Sequence, residues 1–303
     1  MRICSLLPSA TEIVADLGLA GSLVGVSEEC DWPPEVSGLP VVTASRVDTS
    51  RIDSLKIDRA VREAVADGRP LYAIDGELLE TLRPDLILTQ NLCAVCAVSA
   101  DQVGELCATD AEIVALDAHT LAEIEEQILA LARRLGMLER GRTVVSEMEA
   151  KIEAVRAAVT GAPATPIFVA EWLDPPYAAG HWIPELVQIA GGRDVLGQAG
   201  APSYPTSWET VLEERPELVV VAPCGFDHRR AAREARLPKL DCRAVAVDSN
   251  AYYARPAPRL ADGAAQLAFL IHPDRVCDPG LPYVALGNDG WQEIRPSTLT
   301  LLS

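Results

Sequence analysis

Positive charge is scarce in this 303-residue chain, because 26 Lys and Arg stand against 44 Asp and Glu, for a formal net charge of -18 at pH 7. A DNA or RNA backbone is bound by a surplus of Lys and Arg on at least one face, and an anionic membrane surface repels a chain of this charge. Long apolar runs are also missing, since no stretch of eighteen apolar residues could span a bilayer. We therefore expect neither nucleic acid as a partner nor insertion into a membrane.

A secretory signal is not evident in the first twenty residues. The apolar stretch there covers only Ile3 to Leu7, and Pro8 and Glu12 interrupt it. No positive n-region precedes a long apolar h-region and a small-residue cleavage site. On this basis the sequence predicts a cytoplasmic protein.

The chain also has few cysteines and none of the common catalytic motifs. Eight cysteines are too few for a disulfide scaffold in a chain of this length, so each is interpreted as a core, metal or redox residue. The sequence has no G-x-S-x-G, no P-loop, no G-x-G-x-x-G after a strand and no H-E-x-x-H. We expect binding rather than chemical turnover and assign no catalytic residue.

Short apolar runs alternate with helical patterns in both halves of the chain. ELLETLRPDLILTQ at 77–90 and WETVLEERPELVVVAP at 208–223 share a helix, a helix-stopping proline and a buried strand. Between the halves, helical spacing continues from Leu121 to Val159 without a plausible strand. This alternation predicts an α/β protein with parallel sheets, divided into an N-terminal lobe over 1–118, a helical connector over 119–162 and a C-terminal lobe over 163–303.

Two capping boxes mark predicted helix starts. Ser9 with Glu12 precedes the first helix, and Thr120 with Glu123 precedes the helical connector. In each pair a hydroxyl and a carboxylate three residues apart can bond reciprocally to backbone N–H groups. Ser99 with Gln102 forms a third capping box, in which a side-chain amide takes the place of the carboxylate.

Three stretches together resemble one family: SLLPSATEIVADLGLAGSLVGVSEECDWP, the RPDLILTQ strand and EWLDPPYAAGHWIPELVQIAGG. They are similar to the cobalamin-type substrate-binding proteins of ABC importers, nearly end to end. The resemblance implies two Rossmann-like lobes joined by a long connecting helix at 136–160, the helical-backbone substrate-binding-protein fold, with a ligand held between the lobes. Family members bind cobalamin, haem, ferric siderophores or metal ions, and the resemblance makes an ABC importer a candidate partner.

Side chains that follow predicted strands are the candidate ligand contacts, since ligands of parallel α/β sheets bind beyond the carboxyl ends of the strands. Aromatic faces with polar tips suit a flat macrocycle ringed by amides, such as a corrinoid. Only 5% of the residues are aromatic, and many of them fall in predicted loops; packing is the alternative role for each. The candidate ligand-binding residues are Ser9, Glu29, Trp32, Gln90, Glu171, Trp172, His181, Trp182, Tyr204, Cys224 and Tyr253.

Two cysteines three residues apart, Cys93 and Cys96, follow a predicted strand directly. With Cys30 and His181 they could form a four-ligand site, because thiolates with an imidazole suit zinc, copper(I) or iron–sulfur chemistry. A redox pair and simply packed thiols are the alternatives.

The function that these features favour is binding of a cobalamin-like corrinoid, or another metal-bearing ligand, in a cleft between two lobes. The alternative is a cytoplasmic metal- or iron–sulfur-dependent enzyme or metal-handling factor. It would use Cys30, Cys93 and Cys96 on the same fold.

Overall fold

The chain forms two compact units, Met1–Val145 and Ser146–Ser303. They are seen in a computed structural model that describes residues 1–49, 52–90, 103–104, 110–287 and 290–294. Among the helices of these residues, none is long and apolar enough to cross a membrane. The three-part division drawn from the sequence stays a prediction.

The first unit is built on a parallel sheet in the strand order β2-β1-β5-β6, with a separate antiparallel pair β3-β4. Its described strands are β1 Ile3–Ser5, β2 Leu23–Val26, β3 Thr43–Ser45, β4 Tyr72–Ile74, β5 Leu86–Thr89 and β6 Glu112–Ala115. Its described α-helices are α1 Pro8–Asp16, α2 Ser54–Ala66, α3 Gly76–Leu82 and α4 Leu121–Arg134.

Strand β5 is buried at every position, as expected of a strand that is covered on both faces of a parallel sheet. Ile87 of β5 packs in one core cluster with Cys4 of β1 and Leu79 of α3, all fully buried. This cluster fixes α3 against the sheet and confirms the strand predicted from RPDLILTQ.

Helix α1 begins differently from the sequence prediction. Its N-cap is Leu7, which makes no side-chain cap bond, and Pro8 occupies the first turn. Proline suits this position because its φ is already helical and its missing N–H would have no intrahelical partner. The predicted Ser9–Glu12 capping box is therefore wrong, and both side chains are buried inside the helix.

Helix α4 starts with the capping box that its sequence predicts. The Thr120 side chain accepts a hydrogen bond from Glu123 N, and the Glu123 carboxylate accepts one from Thr120 N. After Gly136, helix α5 covers Leu138–Val159, which corresponds to about 33 Å of helix and crosses the division between the two units. The long connecting helix is thereby confirmed; the Ser99–Gln102 pair lies outside the described residues.

The second unit contains a mixed sheet in the order β10-β8-β7-β11-β12-β13-β14, with β9 also paired to β7. Its strands are β7 Thr165–Leu173, β8 Pro176–Ala178, β9 Gly192–Asp194, β10 Tyr204–Pro205, β11 Leu218–Val221, β12 Arg243–Val247, β13 Tyr283–Gly287 and β14 Gly290–Ile294. Its α-helices are α6 Ile183–Ile189, α7 Trp208–Glu213, α8 His228–Glu234, α9 Ser249–Tyr252 and α10 Leu260–Ile271.

The centre of this sheet is parallel, as predicted: β7, β11 and β12 run together, and β9 extends them. Strands β8 and β10 on one side and the β13-β14 hairpin on the other are antiparallel additions. The two-unit α/β fold predicted from the sequence is thus confirmed, with antiparallel edges on the second sheet.

The internal repeat seen in the sequence recurs in the backbone. Helices α3 and α7 are capped by the side chains of Asp75 and Ser207. Each helix is followed by an arginine with a left-handed backbone, Arg83 at φ 42° and Arg215 at φ 50°, and then by a proline and a buried strand. A proline cannot continue the helix, so in both units the same local rule ends the helix and starts the strand.

Candidate functional site

The carboxyl ends of β1, β2 and β5 meet at one edge of the first sheet, where ligands of parallel α/β sheets bind. Ser9, which follows β1, is 2% exposed, and Gln90, which follows β5, is 7% exposed. These two predicted contacts therefore lie in the interior of this unit. Glu29 and Trp32 follow β2 and are exposed.

Trp32 is the large aromatic side chain that this edge offers to solvent, with 42% of its surface exposed. An exposed indole has a large apolar area that gains free energy when it is covered. It is therefore suited to contact an apolar ring, and its contact with a ligand stays a prediction.

Cys30 lies at the same edge in a network of hydroxyl groups. Its Sγ is 3.1 Å from Thr11 Oγ1 and 3.3 Å from Ser27 Oγ, and Thr11 Oγ1 donates to Ser5 Oγ at 2.8 Å. The residue is only 9% exposed. In this arrangement the thiol packs among hydroxyl groups.

Two of the four predicted metal ligands, Cys93 and Cys96, lie outside the described residues. Among the residues that the structure describes, no group of three or more His, Cys, Asp and Glu side chains is placed to hold a metal ion. The four-ligand site stays a prediction without structural support.

In the second unit, an aromatic pair covers the carboxyl ends of β7 and β11. The rings of Trp172 and Phe226 are 5.4 Å apart, and the Arg230 guanidinium lies 3.8 Å from the centre of the Phe226 ring. Cys224, in the same loop as Phe226, is exposed and is anchored by its N–H, which donates to Glu171 O at 3.1 Å. This edge thus combines a half-buried indole, a cation over an aromatic ring and an accessible thiol.

The Glu171 side chain points to its own unit rather than to open solvent. Its Oε1 accepts a hydrogen bond from Gly180 N at 3.1 Å, and the Ser203 side chain bonds to the same carboxyl group. Burial, with the nearby charge of Asp194 as a smaller cause, raises the pKa of Glu171 to about 7. This carboxyl group therefore keeps its proton to a higher pH than an ordinary glutamate does.

His181 sits in the turn that Glu171 holds, with a φ of 49°. Such a left-handed conformation costs a non-glycine residue about 1 kcal/mol or more. It is imposed by two hydrogen bonds, His181 N to Ala201 O at 2.7 Å and Gly200 N to His181 O at 2.9 Å. The partly exposed imidazole is therefore presented from a fixed backbone.

Trp182 and Tyr253 are joined to each other in the interior. Trp182 Nε1 donates to Tyr253 O at 2.7 Å, and the Tyr253 hydroxyl donates to Gln266 Oε1 at 2.8 Å. The two residues are 4% and 1% exposed. Both are packed in this structure, and their contact with a ligand stays a prediction. Tyr204 is likewise tied inward, since its hydroxyl donates to Leu196 O at 2.8 Å.

Sequence reasoning missed Asp194, which follows the same turn. Its Oδ1 accepts from Leu196 N at 3.2 Å and from Gly197 N at 2.8 Å, and burial raises its pKa to about 6. The available signal was the D-V-L-G stretch, in which an aspartate precedes a glycine by three residues as in many Asx turns. Phe226 was missed as well, because only the fold brings it against Trp172.

Comparison with known proteins assigns the family. The sequence profile of the periplasmic binding protein family matches residues 3–239, and the chain belongs to that family. The vitamin B12-binding protein of Vibrio cholerae serotype O1 is 25% identical over 270 residues, which cover 88% of this chain and 87% of the relative. The vitamin B12-binding protein of Vibrio vulnificus is 27% identical over 225 residues, covering 73% and 71%.

Solved structures show the same fold. The periplasmic vitamin B12 binding protein of Vibrio cholerae superposes with a TM-score of 0.65 at 23% identity, covering 90% of this chain and 96% of that chain. A periplasmic heme binding protein from Pseudomonas aeruginosa gives 0.67 at 20% identity, covering 96% and 97%. The helical-backbone substrate-binding fold implied by the sequence resemblance is confirmed.

The family assignment corrects one prediction and confirms another in part. The predicted cytoplasmic location is wrong, because the matching family and these solved relatives are periplasmic binding proteins. The reasoning failed because it weighed only the composition of the first twenty residues. The broader functional prediction, a ligand-binding protein of the substrate-binding class, is confirmed.

Proposed function

We propose that this protein binds a cobalamin-like corrinoid and delivers it to an ABC importer. The observation that carries the proposal is the similarity to vitamin B12-binding proteins over 88% of the chain. Each unit has its own candidate aromatic contact at a strand end, Trp32 in the first unit and Trp172 in the second.

The chemistry of these side chains supports a large, partly apolar ligand. Trp32 is 42% exposed, and Trp172 is backed by Phe226, so that one face of its indole is already packed. A corrinoid presents an apolar ring plane to such faces and amide groups to polar neighbours. Exposed Cys224 and the His181 turn add a thiol and an imidazole that can interact with the metal or the amides.

The test is equilibrium dialysis of the purified full chain against cyanocobalamin, with hemin in parallel. We expect saturable binding of cyanocobalamin at one site per chain. Trp32→Ala and Trp172→Ala should each weaken binding about tenfold, because a large aromatic contact is worth more than about 1.4 kcal/mol. Trp291→Ala, which changes an indole in the β14 edge strand, is the matched control and should keep the wild-type affinity.

One result would overturn the corrinoid assignment, and a second would overturn the role given to the two indoles. Saturable binding of hemin without binding of cyanocobalamin would make a haem the ligand. Equal loss of affinity in all three tryptophan variants would show that the indoles act through the stability of the fold.

A further inference from the structure

The turn at 180–182 is fixed by one segment of its own unit, 196–203. His181 N and O both bond to that segment. A Cβ on Gly180 would lie 2.4 Å from both Ala201 O and Ser203 N. No larger residue fits there, so the turn and the segment form one packed element.

Two partly buried carboxyl groups hold this element. Glu171, near the end of β7, accepts from Gly180 N and bonds to Ser203. Asp194, at the end of β9, accepts from Leu196 N and Gly197 N at the start of the segment. The segment that fixes His181 is therefore itself fixed by Asp194, while the turn is fixed by Glu171.

We propose that Glu171 and Asp194 are positioning residues that hold the His181 turn for the bound ligand, and that they hold it best while a proton remains on the pair. The inference rests on the proposed function in one respect, that the His181 turn contacts the bound ligand. Neither carboxyl group is assigned a direct ligand contact, which replaces the sequence-based role of Glu171.

The physical reason is the cost of two negative charges in a buried place. One oxygen of Asp194, Oδ2, is buried and has no hydrogen-bond partner among the described residues, so an ionised Asp194 is poorly compensated there. The raised pKa values of about 7 for Glu171 and about 6 for Asp194 agree with this. Above about pH 7 both carboxyl groups ionise. Backbone N–H groups compensate Glu171 Oε1 and Asp194 Oδ1, but no donor in the described part of the chain compensates Asp194 Oδ2, so the added charge strains the element that fixes the turn.

Other titratable groups lie on the elements around Glu171 and Asp194, and their titration has to be distinguished from that of these two carboxyl groups. They are Tyr177 on β8, Tyr204 on β10, Cys224 after β11 and His181 in the turn itself. Among the residues around Glu171, Asp194 supplies the charge that raises its pKa. The experiment therefore follows the two carboxyl groups directly.

The first measurement uses the ligand-free full chain and 13C NMR of the carboxyl carbons. We expect the Glu171 carboxyl to titrate with a midpoint near pH 7 and to titrate at lower pH in Asp194→Asn, because a neighbouring negative charge is removed. A midpoint near pH 4.5 in the wild type, the value of an ordinary glutamate, would overturn the proposal.

The second measurement is cyanocobalamin affinity by equilibrium dialysis between about pH 5.5 and pH 8. The wild type should lose about tenfold in affinity across this range, equivalent to one pKa unit of linkage. Glu171→Gln, which keeps the acceptor for Gly180 N but not the charge, should bind equally well throughout, whereas Glu171→Ala should bind weakly throughout. Glu213→Gln, an exposed glutamate in α7, is the matched control and should keep the wild-type profile.

The two measurements separate the two proposals. If cyanocobalamin does not bind at any pH, the corrinoid function fails, while the NMR titration still decides the role of Glu171. If binding occurs and Glu171→Gln keeps the wild-type pH profile, the positioning role is overturned and the function stands.

Discussion

At the scale of single residues, Gly180 gives a sharp prediction. In Gly180→Ala the new Cβ would meet two backbone atoms, Ala201 O and Ser203 N, at 2.4 Å. Backbone cannot rotate away as a side chain can, so the His181 turn must shift. We expect a loss of about 1–3 kcal/mol in the free energy of unfolding, as for other overpacked sites, measured by urea denaturation.

The matched control for this substitution is Gly21→Ala. A Cβ on Gly21 would have no heavy atom within 4 Å, so the free energy of unfolding should change by less than about 0.5 kcal/mol. Equal losses in the two variants would mean that backbone freedom, rather than the close contact at Gly180, decides the result.

Residue roles were only partly predictable, because roles depend on partners that the fold supplies. Glu171 was recognised as important from its position after a strand, but its partners Gly180 and Asp194 lie 9 and 23 residues further along the chain. In the sequence, Trp182 and Tyr253 could not be distinguished from exposed aromatic residues. In the structure the Trp182 indole donates to the Tyr253 backbone and the Tyr253 hydroxyl donates to Gln266, and both residues are buried. Local pattern identified the strand ends but not the direction of each side chain.

At the scale of elements, the capping box of α4 provides a second prediction. Thr120 and Glu123 satisfy each other's backbone N–H groups at the start of this fourteen-residue helix. In Thr120→Ala the Glu123 N–H loses its acceptor, and we expect a loss of about 1 kcal/mol in the free energy of unfolding. Chemical denaturation followed by circular dichroism measures it.

Thr143→Ala serves as the control for this substitution. Thr143 is exposed within α5, and its hydroxyl donates to Glu139 O at 3.1 Å within the same helix. Alanine has the higher helix propensity, so stability should stay level or rise slightly. A loss equal to that of Thr120→Ala would argue against the capping explanation.

Elements with a strong local signal were predicted well, and those that depend on distant pairing were not. Helices α4 and α5 follow from apolar spacing and capping, and β5 and β11 follow from buried runs after proline. The β13-β14 hairpin and the pairing of β8 with β7 lack such a signal, because β13 and β14 are not continuous buried runs and β8 has only three residues. The first turn of α1 was misread because Pro8 takes the place of a side-chain cap.

At the scale of the whole molecule, the composition led us to expect neither nucleic-acid binding nor membrane insertion, and the family resemblance predicted the fold. The alternating elements indicated two α/β units, and the family assignment agrees with them. The location was predicted wrongly, because it was inferred from the first twenty residues alone, whereas the family match extends over residues 3–239.

Net charge gives the last prediction, which concerns the molecule as a whole. A charge of -18 at pH 7 destabilises the folded state through self-repulsion, and salt screens such repulsion with a Debye length of about 10 Å at about 0.1 M. Raising NaCl from about 0.02 M to about 0.3 M at about pH 7.5 should raise the melting temperature by roughly 2–4 °C, equivalent to about 1 kcal/mol. The control is the same salt series at about pH 5, close to the pI of 4.6, where the net charge is small and the increase should be much smaller. Equal increases at both pH values would attribute the salt effect to ion-specific solvation of the protein surface, and the self-repulsion argument would then fail.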